Sequence, residues 1–177
     1  MIDRESLALD LDNVLYPWVR AVYTYWKIYY NYTGLEYTFF KNIDSIIPKE
    51  TQDYIVNIDT IYTSFVPESR LIQLLNKLGE KYSLYYITAR PDSVRRITEK
   101  YLRDFHFPQD TNLIFSKDKD TMARLLKLDY FVEDSVKNAE KLKNICTTFL
   151  VKTPYNETYS GEVPMLNSIY CLEGVLL

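Results

Sequence analysis

Short apolar runs alternate along the chain with longer segments in which apolar residues recur at helical spacing. Leu7-Ala8-Leu9-Asp10-Leu11 predicts a strand over residues 6–11, and Tyr82-Ser83-Leu84-Tyr85-Tyr86-Ile87 a second over 82–87. Briefer runs predict strands at 112–115, 130–133 and 147–152, with helices at 93–104, 119–127 and 136–143 between them. Another helix opens at Pro67-Glu68, with Leu71, Leu74, Leu75 and Leu78 on one face and Gly79 as its stop. This alternation predicts an α/β chain with a parallel sheet and right-handed crossovers. Residues 18–65 read as helical and rich in rings, with Pro48 opening a helix at its first turn. Within them Val22, Tyr25, Trp26 and Tyr29 recur at the spacing of a core-facing stripe. Residues 168–177 read either as a further short strand or as a packed tail.

The chemistry clusters where strands end. The first strand stops at Asp10 and Asp12, one residue apart, so extended geometry turns both carboxylates to one side. Two such acids repel unless a cation or a shared proton lies between them, and a divalent metal is the simplest resolution. The second strand ends in Thr88-Ala89-Arg90-Pro91, and the run at 130–133 ends in Glu133-Asp134-Ser135. Ser116-Lys117-Asp118-Lys119 opens an intervening helix. Parallel α/β sheets place ligands outside the carboxyl ends of their strands, so the four junctions are expected to meet in space.

Composition narrows the choices. A chain of 177 residues, 47% hydrophobic, can bury one good core with an insertion but hardly two full domains. Its net charge of −3 argues against an extended nucleic-acid footprint, while a small anionic substrate stays open because a local cation can override the global sign. Met1-Ile2-Asp3-Arg4-Glu5-Ser6 lacks the basic start and apolar run of a signal peptide, and no stretch is long enough to span a bilayer, which predicts a cytoplasmic chain. Cys146 and Cys171 stand apart, as small hydrophobes rather than a redox pair, and the sequons at Asn31 and Asn156 carry no meaning in that compartment. His106, the one histidine, lies away from the four junctions, as a packing or surface residue, so a zinc site and a Ser-His-Asp triad lack their parts. Neither a dinucleotide fingerprint nor a P-loop occurs. Carboxylate and magnesium chemistry is what these residues leave.

With Asp10-Leu11-Asp12-Asn13-Val14, Ile87-Thr88-Ala89-Arg90, a lysine at 119 or 117, and Val132-Glu133-Asp134-Ser135 in order, the chain resembles the haloacid dehalogenase-like phosphohydrolases. The spacing is most similar to their 5'(3')-deoxyribonucleotidase branch. The likeness covers roughly residues 5–152; Asn13, Val14 and Glu133 replace more usual residues without removing a needed group. It implies a Rossmann-like three-layer sandwich: a catalytic core of residues 1–16 and 76–177, and a small helical cap of residues 17–75 inserted after the first strand.

The resemblance also implies a magnesium-dependent phosphomonoesterase, most naturally a nucleotidase acting on (deoxy)nucleoside monophosphates. Asp10 would be the nucleophile and Asp12 the acid and base; Thr88 would bind the transferring phosphoryl group and Lys119 would neutralise it. Magnesium would be held by Asp10, the Asp12 carbonyl and Asp134, with Glu133 behind them. Tyr16, Trp18, Ala89, Arg90 and Lys117 are the expected substrate contacts, and Tyr16 and Trp18 the rings placed to stack on a base. Two alternatives remain: the same chemistry on a sugar phosphate or a nucleic-acid 3'-phosphate end, and a binding protein that keeps the fold without turnover.

Overall fold

The structure, a computed structural model, describes residues 4–177; Met1, Ile2 and Asp3, which begin the stretch read for a targeting signal, lie outside the described residues. Six parallel strands form one sheet: β1 (Ser6–Leu9), β2 (Ser83–Thr88), β3 (Leu113–Phe115), β4 (Tyr130–Glu133), β5 (Thr147–Val151) and β6 (Met165–Leu166), in the order β3-β2-β1-β4-β5-β6. Side chains alternate between its faces as strand geometry requires. Leu7, Leu9, Leu84, Tyr86 and Val132 enter one core with Leu71, Leu74, Leu75 and Leu78 of α5 (Ser69–Lys81) and Tyr101 and Leu102 of α6 (Arg95–Asp104). Ala8, Ile87 and Phe131 face the other way, onto Ala123 of α7 (Lys119–Leu126) and Leu142 of α8 (Val136–Leu142). The result is the expected three-layer α/β sandwich.

Between β1 and α5 the chain makes an excursion of short helices: α1 (Trp18–Tyr29), α2 (Glu36–Lys41), α3 (Ile43–Ile46), α4 (Lys49–Ile55) and a 3-10 turn at Asp59–Thr63. Val22, Trp26, Phe39, Ile47, Ile55 and Ile61 are buried and continuous with the core on that face of the sheet. The stripe of α1 is therefore core-facing at Val22 and Trp26, whereas Tyr29 is exposed.

Two expectations need correction, and one of two alternatives for the last residues holds. Gly79 does not stop its helix: α5 continues to Lys81 and ends where Tyr82 extends into β2, while the Gly79 carbonyl accepts a hydrogen bond from Gln109 Nε2 at 3.2 Å. Because α5 runs unbroken through residue 75 and its leucines lie on the sheet, it belongs to the core rather than to the excursion. The last residues are a packed helical tail, a 3-10 turn at Ile169–Cys171 and α9 (Leu172–Leu176), while the extra strand is β6, two residues upstream of that region. Two residues are too few to show a period in sequence.

Among the described residues no helix is long and apolar enough to cross a membrane. His106 is an exposed residue with φ of 56°, just past the end of α6. Cys146 and Cys171 are half-buried free thiols.

Candidate active site

Strand order reverses on either side of β1, and the carboxyl ends of β1, β2 and β4 open into a cleft of about 270 Å³. Asp10, Asp12, Ala89, Arg90, Lys119 and Asp134 line it together, so residues from all four predicted junctions meet. Each is placed by backbone structure. Asp10 follows the last residue of β1, its N–H donating to the Val132 carbonyl at 3.0 Å. Asn13 has φ of 61°, a left-handed conformation that asparagine tolerates, and its N–H donates to the Tyr16 carbonyl to close the turn after the acid pair. Lys119 is the first residue of α7, capped by Asp118, whose carboxylate accepts from Thr121 N at 3.4 Å and from the Thr121 hydroxyl at 2.8 Å. Ser135 caps α8 in the same way, accepting from Asn138 N at 3.4 Å.

Two ion-pair systems divide the cleft. Lys119, 3% exposed, bridges Asp10 Oδ2 and Glu133 Oε2, each at 2.8 Å. Glu133 Oε1 accepts from Asn138 Nδ2 at 2.9 Å, so this acid is fully engaged in holding the lysine. On the other side Arg90 forks onto Asp12, with Nη2 at 2.6 Å from Oδ1 and Nε at 3.1 Å from both oxygens. Arg90 is itself caged: Nη1 donates to the Thr98 hydroxyl at 3.0 Å, and the guanidinium lies over the rings of Tyr62 at 4.4 Å and Tyr16 at 5.3 Å. It is buried and occupied, so its contact is with Asp12.

The other expectations separate as follows. Lys119 is the lysine of the site; Lys117 is exposed and lines no part of the cleft. Thr88 is fully buried beneath the cleft, its hydroxyl accepting from Arg90 N at 3.2 Å. Trp18 lines the cleft, and also an adjoining cavity of about 540 Å³ bounded by Lys41, Asp44 and Tyr155. Tyr16 does not: it is 2% exposed, its ring sits edge-on to Phe65 and Tyr101, and its hydroxyl donates to the Ile61 carbonyl while accepting from Ser64 N at 3.2 Å. The turn closed by Asn13 directs the ring inward, a reversal that residue spacing does not reveal. Sequence reading also missed Tyr62, Asn138 and Tyr155. Asn13 was visible as a substitution in the first motif; Asn138 follows the Glu133-Asp134-Ser135 junction within one helical turn, whereas Tyr62 and Tyr155 arrive from other segments.

The electrostatics ask for a cation. Asp10, Glu133 and Asp134 bring carboxylate oxygens within 4.8 Å of one another, all three buried. Counted in their ionised forms, the carboxylates Asp10, Asp12, Glu133 and Asp134 outnumber the cations Lys119 and Arg90 by two, which favours a retained proton or a bound cation. Burial pushes the Asp10 carboxyl up to about 7 against the pull of Lys119, with Glu133 and Asp12 adding to the rise. Burial likewise holds Asp134 well above the ordinary carboxylate range, and Asp10 and Glu133 reinforce it. Lys119 is raised despite its burial, because Asp10 and Glu133 flank it. A divalent cation beside Asp10 and Asp134 fits this deficit in charge and in its demand for oxygen donors.

No family model matches the chain. A haloacid dehalogenase-like family hydrolase from Streptococcus pneumoniae superposes over 100% of both chains with a TM-score of 0.63 at 13% identity. The chain has the haloacid dehalogenase-like fold. A second protein with this fold, a family enzyme from Bacteroides thetaiotaomicron solved as a magnesium complex, matches 89% of the chain and 96% of its own, with a TM-score of 0.50 and 18% identity. Among curated sequences, a nucleotidase of Clostridium acetobutylicum is 32% identical over 85 residues, 47% of this chain and 44% of that protein. The chain thus matches less than half the length of that relative. In this chain, the cleft at the ends of β1, β2 and β4 is where the acids and the lysine gather.

Proposed function

We propose that this chain is a magnesium-dependent phosphomonoesterase acting through an aspartyl-phosphate, with nucleoside monophosphates as substrates. The observation that carries the reading is the buried Asp10, paired with Lys119 and adjoining Asp134, in a cleft whose carboxyl groups outnumber its cations. Asp10 is the nucleophile: it attacks phosphorus in line, and the bond to the departing alkoxide breaks. Lys119 fixes its carboxylate and offsets charge on the phosphoryl oxygens. Asp12, oriented by the Arg90 fork, gives the alkoxide its proton and later takes one from the water that cleaves the acyl-phosphate. Asp10, Asp134 and the Asp12 carbonyl would hold the magnesium ion, whose charge screens the approach of carboxylate to phosphate. The backbone at Ala89, which lines the cleft just after β2, suits the phosphoryl oxygens. Trp18 and the adjoining cavity give a leaving group as large as a nucleoside somewhere to lie, and the name of the Clostridium relative supports the nucleotide class.

A screen of nucleoside monophosphates, sugar phosphates and a minimal aryl phosphate, with magnesium or with excess chelator, tests the reading. Phosphate release should be greatest from nucleotides and absent in chelator. Full turnover in chelator, or none from any ester, would overturn it.

A further inference from the structure

Asp134 Oδ2 receives two hydrogen bonds, and each donor also leads to the helical excursion. Asn13 Nδ2 donates to it at 3.2 Å, while Asn13 Oδ1 accepts from Val19 N, in the first turn of α1, at 3.0 Å. The Tyr155 hydroxyl is the second donor. Tyr155 lies on the loop between β5 and β6, and the two residues after it extend the connection. Asn156 Nδ2 donates to the backbone carbonyl of Asp134 at 2.8 Å and to that of Val151 at 2.9 Å, and Asn156 Oδ1 accepts from Thr153 N at 2.7 Å. Glu157 Oε1 then accepts from the Tyr37 hydroxyl at 2.6 Å and from Lys41 Nζ at 3.0 Å, both on α2. Three consecutive residues therefore hold an Asp134 oxygen, the Asp134 backbone and an excursion helix. Oδ1 of Asp134 makes no such bond among the described residues, which leaves it turned to other partners.

We infer that Asn13 and Tyr155 are positioning residues for Asp134, and that through them cation binding is thermodynamically linked to the seating of α1 and α2. The inference rests on the proposed function only in taking Asp134 as a cation ligand. Groups that orient a metal ligand set how well it binds. Because the same groups are tied to the excursion, seating those helices orients the carboxylate, and a bound cation must by reciprocity favour the seated helices. Asn156 keeps the loop rigid enough to transmit this, since its three hydrogen bonds are buried. The Glu157 contact is exposed, so its share is the smaller one.

The test is calorimetric titration of the full chain with magnesium, for the wild type, Tyr155→Phe and Glu157→Ala, alongside hydrogen exchange of residues 36–47 in magnesium and in chelator. Tyr155→Phe should weaken magnesium binding by about 10–100-fold. Glu157→Ala, remote from the carboxylates, should weaken it by about fivefold. Unfolding midpoints in chelator show that each variant is folded; if either is not, exchange in the wild type decides. Magnesium should slow exchange in α2. Unchanged affinity in both folded variants, or α2 exchange indifferent to magnesium, would overturn the linkage while the proposed function stands. A wild type that binds no magnesium would remove both.

Discussion

At the scale of single residues, one buried carboxyl explains most of the site. Asp10 is raised to about 7 by burial, above the value of an unfolded chain. The metal-free folded protein thus keeps a proton that the unfolded chain has released, and stability is lost as pH rises from about 4 to about 7. Asp10→Asn should raise the unfolding midpoint in chelator at about pH 8, with the gain shrinking as pH falls through about 4, below which both states are protonated. In magnesium the same substitution should lower turnover by about 10³-fold or more, since the amide cannot attack phosphorus. Calorimetry and phosphate release check the two halves separately. Asp10 itself was legible in the sequence, because an acid at the end of an apolar strand is a local signal. Arg90 was legible as a residue but not in its role: its fork onto Asp12 needs Thr98, Tyr62 and Tyr16, which come from three other segments.

Among elements, the connection from β1 into α1 sends its two rings to different places. Trp18, at the start of α1, lines the cleft, whereas Tyr16, two residues earlier, is an internal strut. Trp18→Ala should reduce kcat/KM by about 1–3 kcal/mol for nucleoside monophosphates and much less for a minimal aryl phosphate. Tyr16→Phe strands the Ile61 carbonyl and the Ser64 N–H; it should lower stability by about 1–3 kcal/mol and affect the two substrates alike. Steady-state kinetics with both esters, beside thermal melts, separates the two rings. The first five strands announced themselves by apolar runs and most helices by their spacing. β6 and the reach of α5 past Gly79 did not, because one is too short and the other is set by what the helix meets rather than by what it contains.

Over the whole molecule, the net charge of −3 and the confinement of Lys119 and Arg90 within the cleft leave phosphate recognition local. A 3'-phosphorylated oligonucleotide should therefore be a poorer substrate than a mononucleotide, and kcat/KM for the mononucleotide should not show the steep salt dependence of multi-phosphate binding. Competition between the two across a salt series measures this. A preference for the oligonucleotide would move the substrate class to nucleic-acid ends while keeping the chemistry.

The Tyr16 strut has a further consequence, for how the chain folds. Its hydroxyl ties the start of the excursion to Ser64, 48 residues later, so the detour is closed at its neck by one side chain. From the sheet's side, β1 and α5 are then joined by a short tether, and the length of what hangs beyond it matters little. Closure entropy grows only slowly with loop size, by about 0.6 kcal/mol for each doubling. The neck therefore lets the exposed connections of the excursion vary in length at little entropic cost, while Val22, Trp26, Phe39, Ile55 and Ile61 stay fixed by the core they share with the sheet.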